Sequence, residues 1–283
     1  MSEQTTNENF IATAWSKKIN AGLDKNCTML QCVNRDYQAE ANSGCAEIKI
    51  ATPKRVSTGT YTGTLPAYSN GEFENETLKL DQSIYFAFSV PDIIQAQTNL
   101  AIHDAITQKA QKAVDEGIDK YIFSMHTSAP EENILTDEGE PMILDNTNVY
   151  SKFVSLSKIL KNSGALSGTK RGWVVVHPDV EELLLLCEQF SGASNGSDTT
   201  KKEGSIGKIA GLDVFVSNNV GKETDGSYTV LAGTNEAITY ASQLKKLEHL
   251  RAEQSFDTIV RGLYTFGALA LNPTALAVLK CEF

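Results

Sequence analysis

Apolar residues fall at every second position late in the first third of the chain. Leu78, Leu80, Ile84, Phe86, Phe88 and Val90 share one face, and only Gln82 interrupts them. Thr77, Lys79, Asp81, Ser83, Tyr85, Ala87 and Ser89 line the other face. This alternation predicts a single strand roughly 45 Å long at about 3.3 Å per residue, far longer than the usual ~5–6 residues. Glu47 to Val56 begins the same way, with Ile48 and Ile50 set against Glu47 and Lys49. Between the two runs, Ser57 to Glu76 is polar and rich in Gly, Thr and Tyr. The pattern predicts one long hairpin over residues 45–90, with nothing else in the chain to cover it. A two-stranded ribbon is marginal in water, and its edges invite pairing with other chains. Such an arm is expected to grip a neighbour, which points to an assembly protein.

The period then changes. Pro91-Asp92 is a helix-start signal, and the helix is expected to run to about Phe123, roughly 50 Å at 1.5 Å per residue. Ile94, Ala101, Ile102, Ala105, Ile106, Ala110 and Ala113 form a stripe of mostly small residues that suits close packing on a sheet. Glu116 and Lys120 add an outer i,i+4 pair, and Gly117 is expected to bend or loosen the last turns. The middle reads as a compact α/β region. Tyr150 to Asn162 is a helix with Phe153, Val154, Leu156, Ile159 and Leu160 inward. Trp173 to Val176 is a short buried strand, and His177-Pro178-Asp179 turns it into a helix over Val180 to Phe190. Ser191 to Ser205 reads as a Ser/Gly/Lys loop. Further strands are expected at Leu212 to Val216, Tyr228 to Leu231 and Ala237 to Ala241. Long β structure returns over Leu247 to Ser255 and Asp257 to Leu271, where Gly262 and Gly267 suit bends or close backbone approach. Residues 10–43, ahead of the hairpin, read as an extended arm with an amphipathic stretch at Ile11 to Leu23.

Composition sharpens this picture. The 283 residues are 41% hydrophobic and 21% charged, ordinary values for a globular chain. No apolar run reaches the ~18 residues of a membrane span, and the polar start lacks the features of a signal peptide. No membrane association is expected. The net charge of −10 argues against a general nucleic-acid binder. Residues 127–240 carry 16 acidic and 9 basic side chains, residues 241–283 carry 4 and 5, so the acidity sits in the middle. Glu131, Glu132, Asp137, Glu138, Glu140 and Asp145 lack the regular spacing of a calcium loop and read as a solvated acidic loop.

Candidate chemistry is sparse. His103, His126, His177 and His249 are scattered, and His177 reads as a helix-entry residue. Gly164 to Lys170 resembles a phosphate loop only loosely, with the wrong spacing for the GxxxxGK[ST] pattern. Cys27, Cys32, Cys45, Cys187 and Cys281 are odd in number and match no common metal site, so reduced thiols are expected. No catalytic, cofactor or metal residue is assigned, and a non-enzymatic role is expected. The candidate functional residues are instead contact residues. Tyr61, Tyr68, Phe73, Glu72, Glu74 and Glu76 lie at the hairpin tip. Lys245, Lys246 and Arg251 form a basic patch on which a neighbour's acidic tip could dock.

The order of parts, arm, long hairpin, long helix, compact lobe and return strands, resembles the major capsid protein of tailed double-stranded DNA bacteriophages, the Hong Kong ninety-seven-type fold. Local segments carry the resemblance: Phe10-Ile11-Ala12-Thr13-Ala14-Trp15-Ser16-Lys17, Val33-Asn34-Arg35-Asp36-Tyr37, Gly172 to Val180, Ile206 to Val220 and Ala252 to Pro273. The resemblance implies an α+β fold with an N-terminal arm (1–43) and an E-loop hairpin (44–90). It implies a peripheral domain with a spine helix (91–126 and 241–283) and an axial α/β domain (127–240). It further implies pentamers and hexamers in an icosahedral shell, a portal, and packaged DNA bound without sequence specificity. The protein would belong to the virion and assemble in the host bacterial cytoplasm. Barely ten residues precede the arm, so a separate scaffolding protein is expected. An encapsulin-like compartment shell is the alternative.

Overall fold

The computed structural model describes residues 27–42, 44–53, 73–91, 101–137, 139–168, 170–187, 207–219, 221–223, 226–251 and 257–283. For 53, 90–91, 101–108, 244–247, 249 and 257–258 it describes the backbone alone. The amphipathic stretch at Ile11 to Leu23, Ile94 and the loop at Ser191 to Ser205 lie outside the described residues.

The second half of the expected arm belongs to the body. Cys27, Met29, Leu30, Cys32 and Val33 are buried and pack in the same core as Val114, Ile118 and Ile122. The Asn34 amide donates to the Ile238 carbonyl, and the Tyr240 amide donates to the Asn34 carbonyl, both at 2.9 Å. A short helix, α1 (Gln38–Asn42), follows.

The expected hairpin is two structures. Strands β1 (Glu47–Pro53) and β2 (Phe73–Lys79) pair antiparallel from Glu47↔Lys79 to Pro53↔Phe73. The chain then passes Leu80-Asp81 and changes partner. Strand β3 (Gln82–Pro91) pairs with β11 (Asp257–Leu269), which pairs with β10 (Thr239–Arg251) in a three-stranded sheet. The single long strand expected from Thr77 to Val90 is therefore corrected to two. Gln82, the one polar residue on the apolar face, sits at the change of sheet, but the alternation keeps the same phase on both sides of it, so the period does not identify the change of partner. The described apolar face is also covered, fully at Leu78 and Leu80 and in part at Ile84, Phe86 and Phe88. Leu78 and Leu80 are buried with Ile48, Ile50, Ala41 and Ala241, while Ile84 and Phe86 pack on the main core. Gly267 is required where the ribbon crosses β11, because a Cβ there would collide with the Lys79 carbonyl. The strand is continuous through both Gly262 and Gly267, each closely approached by a neighbouring strand.

The long helix is described as α2 (Ala101–Phe123), 23 residues. Its buried side is Gln111, Val114, Asp115, Ile118, Asp119 and Ile122, at the three- and four-residue spacing of one helix face. Of the expected small-residue stripe, Ala110 is half-buried and Ala113 exposed, and its other members lie outside the described side chains. Gly117 does not loosen the helix. It admits Ile84, whose Cδ1 would lie 2.5 Å from a Cβ at that position.

The middle of the chain builds a seven-stranded sheet. It contains β4 (Ile134–Leu135), β5 (Met142–Ile143), β6 (Gly172–Val176), β7 (Lys208–Ile209), β8 (Leu212–Val216), β9 (Tyr228–Thr234) and β12 (Leu276–Glu282). The order is β4-β12-β9-β6-β8-β7, with β5 also on β12. Every residue of β6 and β9 is buried, as a sheet covered on both faces requires. Helices α3 (Val149–Asn162) and α4 (Pro178–Leu186) cover one face, placing Phe153, Leu156, Leu160, Val180 and Leu184 on Val174, Val176, Val230 and Ala277. Trp173, Val175, Leu231 and Val278 meet the end of α2 and residues 29–30 on the other face. The last strand, β12, lies between β9 and the β4/β5 edge. The closing segment 241–283 thus contributes strands to both sheets.

Candidate inter-subunit surfaces

The β1–β2 ribbon has two unequal faces, set by its register. Glu47, Lys49 and Ala51 share one face with Lys79, Thr77 and Asn75. Ile48, Ile50 and Leu78 lie on the other and are buried at the ribbon's base. That second face turns acidic toward the tip, where Glu76 pairs across from Ile50 and Glu74 from Thr52. Glu74 is exposed and Glu76 half-buried. Phe73, opposite Pro53, leaves 63% of its surface in solvent. Of the sequence-derived contact residues, Tyr61, Tyr68 and Glu72 lie outside the described residues.

Lys245, Lys246 and Arg251 lie on β10, in a different sheet from the acidic tip. The register with β11 shifts between Leu244 and Lys246, a bulge beside Lys245. Arg251 is exposed at the strand's end, opposite Thr258. The fold therefore places the two charge sets on separate elements of one subunit.

Sequence reasoning missed a groove on the outer face of the three-stranded sheet. It has a volume of about 450 Å³ and is lined by Tyr85, Phe86, Ala87, Glu248, Arg261, Gly262 and Leu263. Tyr85 is 79% exposed. Arg261 reaches across to Glu248 Oε2 through Nη2 at 2.6 Å and Nε at 2.7 Å. The odd-numbered face that carries Tyr85 was legible in the sequence. The pairing with β11 that builds the groove was not.

Other expected features have structural placements. His177 caps α4, its Nδ1 accepting the Asp179 amide at 3.3 Å, with Pro178 in the first turn. Tyr228 donates to Asp179 Oδ2 at 2.5 Å and stacks on Phe283 at 4.5 Å. The Tyr228 hydrogen bond, helped by nearby His177 and Lys222, holds the Asp179 carboxyl below its ordinary range. His126 sits at the end of α2 with Nδ1 2.9 Å from the Phe123 carbonyl. Segment 164–170 joins a helix to a strand, the reverse of a phosphate loop, and Lys170 pairs with Glu236 at 2.7 Å. Glu131, Glu132, Asp137, Glu140 and Asp145 are all exposed. Asp145 accepts from the Thr147 hydroxyl at 2.6 Å and from the Thr147 and Asn148 amides, which lower its pKa and shape the entry to α3. None of the five cysteines forms a disulfide. Among the described residues, no three His, Cys, Asp or Glu side chains are grouped to hold a metal, and no helix is long and apolar enough to cross a membrane.

Comparison with known proteins gives these surfaces a context. A family model described as phage capsid protein matches residues 75–279. A structure from Mycobacterium phage Che8 superposes with a TM-score of 0.71 at 25% identity, over 87% of this chain and 88% of that one. The capsid structure of cyanophage P-SCSP1u gives 0.61 at 14% identity, over 84% and 83%. A virus-like particle from Pyrococcus furiosus gives 0.58 at 13%, over 94% and 97%. The last two likenesses establish a shared fold alone. No curated protein matches by sequence. With 205 of its residues under that family model and its architecture shared with phage shells, the chain belongs to the phage capsid protein family and is a structural shell subunit.

Proposed function

We propose that this subunit closes into pentamers and hexamers, and that these form an icosahedral head enclosing double-stranded DNA. The observation that carries the reading is the β1–β2 ribbon. Its apolar side chains are used at the base, while Phe73 and Glu74 stand exposed toward the tip. A two-stranded ribbon that exposes such residues gains further contacts from a second subunit. In this reading residues 1–43 are the N-terminal arm, the hairpin (44–90) is the E-loop, α2 is the spine helix of the peripheral domain, and residues 127–240 are the axial domain. Glu72, Glu74 and Glu76 dock on Lys245, Lys246 and Arg251 of a neighbour, with Tyr61, Tyr68 and Phe73 adding apolar contact. Each such charge pair is worth only about 0–1 kcal/mol, but a closed shell repeats it in every subunit.

The net charge of −10 fits a container. An acidic wall repels packaged DNA, and cations screen the remainder, so the genome is held without sequence-specific binding. A separate scaffolding protein and a portal complete the assembly, which takes place in the host bacterial cytoplasm. The alternative, a compartment shell loaded with protein, shares the fold, but the family match favours the phage reading. Purified particles test both. Electron microscopy and nuclease treatment should find regular shells that protect DNA. Shells filled with protein would favour the alternative, and a stable dimer that never closes into rings would overturn the reading.

A further inference from the structure

Three chain segments meet on one buried carboxylate. Asp119, on the inward side of α2, is fully buried. Its Oδ1 accepts the Cys27 thiol at 2.7 Å and the Met29 amide at 2.9 Å. Its Oδ2 accepts the Asn219 side-chain amide at 3.3 Å. Cys27 and Met29 precede β1, and Asn219 lies in the turn after β8, about ninety to one hundred residues away on either side. A carboxylate in an apolar setting is costly unless its oxygens are paired. Here the donors come from distant segments, so the bonds exist only when all three are seated. Burial foremost, and then the Asp119 charge, push the Cys27 thiol up, so it stays a protonated donor. The same segment is held further along, where the Ser242 amide donates to Gln38 Oε1 at 3.2 Å and the Ser242 hydroxyl, itself accepting from Tyr264 at 2.7 Å, donates to that oxygen at 3.3 Å.

We propose that Asp119 is the pin that fixes the root of the N-terminal segment to the subunit. It is a positioning residue: it sets where the arm leaves the body and is not needed for the seven-stranded sheet to form. The proposal deepens, and rests on, the reading of the residues before Cys27 as an arm that reaches a neighbour. Two observations make the root separable. Between Cys27 and Asn42, the pairing to a sheet is one isolated bridge, Asn34 to Thr239. The core beneath α3 and α4 contains no residue of this segment. Loss of the pin should therefore open the root locally while the lobe stays folded.

The cysteines supply the test. Cys27 and Cys32 are buried in the root, Cys187 and Cys281 are buried in the lobe, and Cys45 is exposed. An aromatic disulfide reagent, applied to the full-length native subunit, should react quickly with one thiol in the unmodified protein and with three in Asp119→Ala, sparing Cys187 and Cys281. One reactive thiol in Asp119→Ala would show that the root stays seated without the pin. Five reacting together would show that Asp119 supports the whole core. Either result overturns the proposal. Asp119→Asn gives a second reading if the alanine variant fails to fold. It keeps one acceptor oxygen but sets a donor against the donors around it, and should speed reaction at Cys27 and Cys32 about tenfold or more. An unchanged rate overturns the proposal as well. Particle formation is read separately. Normal shells built from a subunit with three reactive thiols would leave the pin standing and remove the arm reading.

Discussion

The seven-stranded lobe and the two-stranded ribbon solve the same problem in opposite ways. In the lobe, β6 and β9 are buried along their whole length, and apolar side chains on alternate positions meet two different layers. Val174 and Val176 face α3 and α4, while Trp173 and Val175 face α2. Both faces of the sheet are satisfied within the chain. In the ribbon, Ile48, Ile50 and Leu78 are covered at the base, and along the same face Glu76 is half-buried and Glu74 exposed. The lobe has the interior of an independent domain. Among its described residues, the ribbon has an interior only where it touches the body. The contrast teaches where to look for assembly contacts: along the element whose cohesion is left unfinished in one subunit.

The largest effect should come from the lobe. Phe153→Ala removes a fully buried ring between α3 and the sheet. It should cost about 3–5 kcal/mol, enough to unfold a marginal subunit, and denaturant titration would measure it. A loss under about 1 kcal/mol would mean the lobe is not the stabilising unit. Leu78→Ala probes the ribbon's base. Leu78 is fully buried in a small satellite cluster, so the loss should be about 2–3 kcal/mol, toward the lower end for Leu→Ala. If this change costs more than Phe153→Ala, the comparison is reversed and the ribbon belongs to the central core.

These two sites also mark what could be read from sequence. The alternation at Leu78 to Val90, the buried run at Trp173 to Val176 and the His177-Pro178 helix entry follow from local rules, and the structure contains all three. The break at Leu80-Asp81 does not follow, because periodicity records a face and not a partner. The polar part of the buried helix face was also beyond local rules. The described buried side includes Asp115, Asp119 and Gln111, and Asp119 is accommodated by donors, Met29 and Asn219, that lie far away in sequence. The contact residues were legible only as exposed charge at a tip. The groove beside Tyr85 needs the β3–β11 register, which no local pattern supplies.

Smaller tests sharpen the description of the lobe. Ile209 pairs with Leu212 around the two-residue turn Ala210-Gly211, whose φ angles are 51° and 91°. Such a turn favours Asn or Gly, and Ala is strained there. The Ala210 carbonyl is held by the Ser157 hydroxyl at 2.8 Å, a contact invisible in sequence. Ala210→Asn should raise stability by about 0.5–1 kcal/mol, read as a higher melting temperature, and a fall would contradict the account of the turn. The least perturbing test is Tyr228→Phe. It removes the hydrogen bond that does most to lower the Asp179 pKa. Because the folded carboxyl is depressed, its contribution is present above the unfolded value of about 3.9 and is lost as pH falls through the folded value. The variant's Asp179 should titrate closer to 3.9 by carbon-detected NMR, and the acid loss of stability should weaken. An unchanged titration would remove Tyr228 as the cause.

The central claim is that the ribbon's tip serves the shell and not the subunit. Pro53 and Phe73 are the last paired residues of β1 and β2, so replacing residues 54–72 with Asn-Gly closes the ladder in register with a two-residue turn. Thermal melting reports the subunit, and negative-stain microscopy reports the shells. The account predicts a melting transition within a few degrees of the intact protein and no closed shells. Normal closed shells from the shortened chain would contradict the claim that the tip grips a neighbour. A chain that fails to fold would contradict the claim that the tip lies outside the subunit's own core.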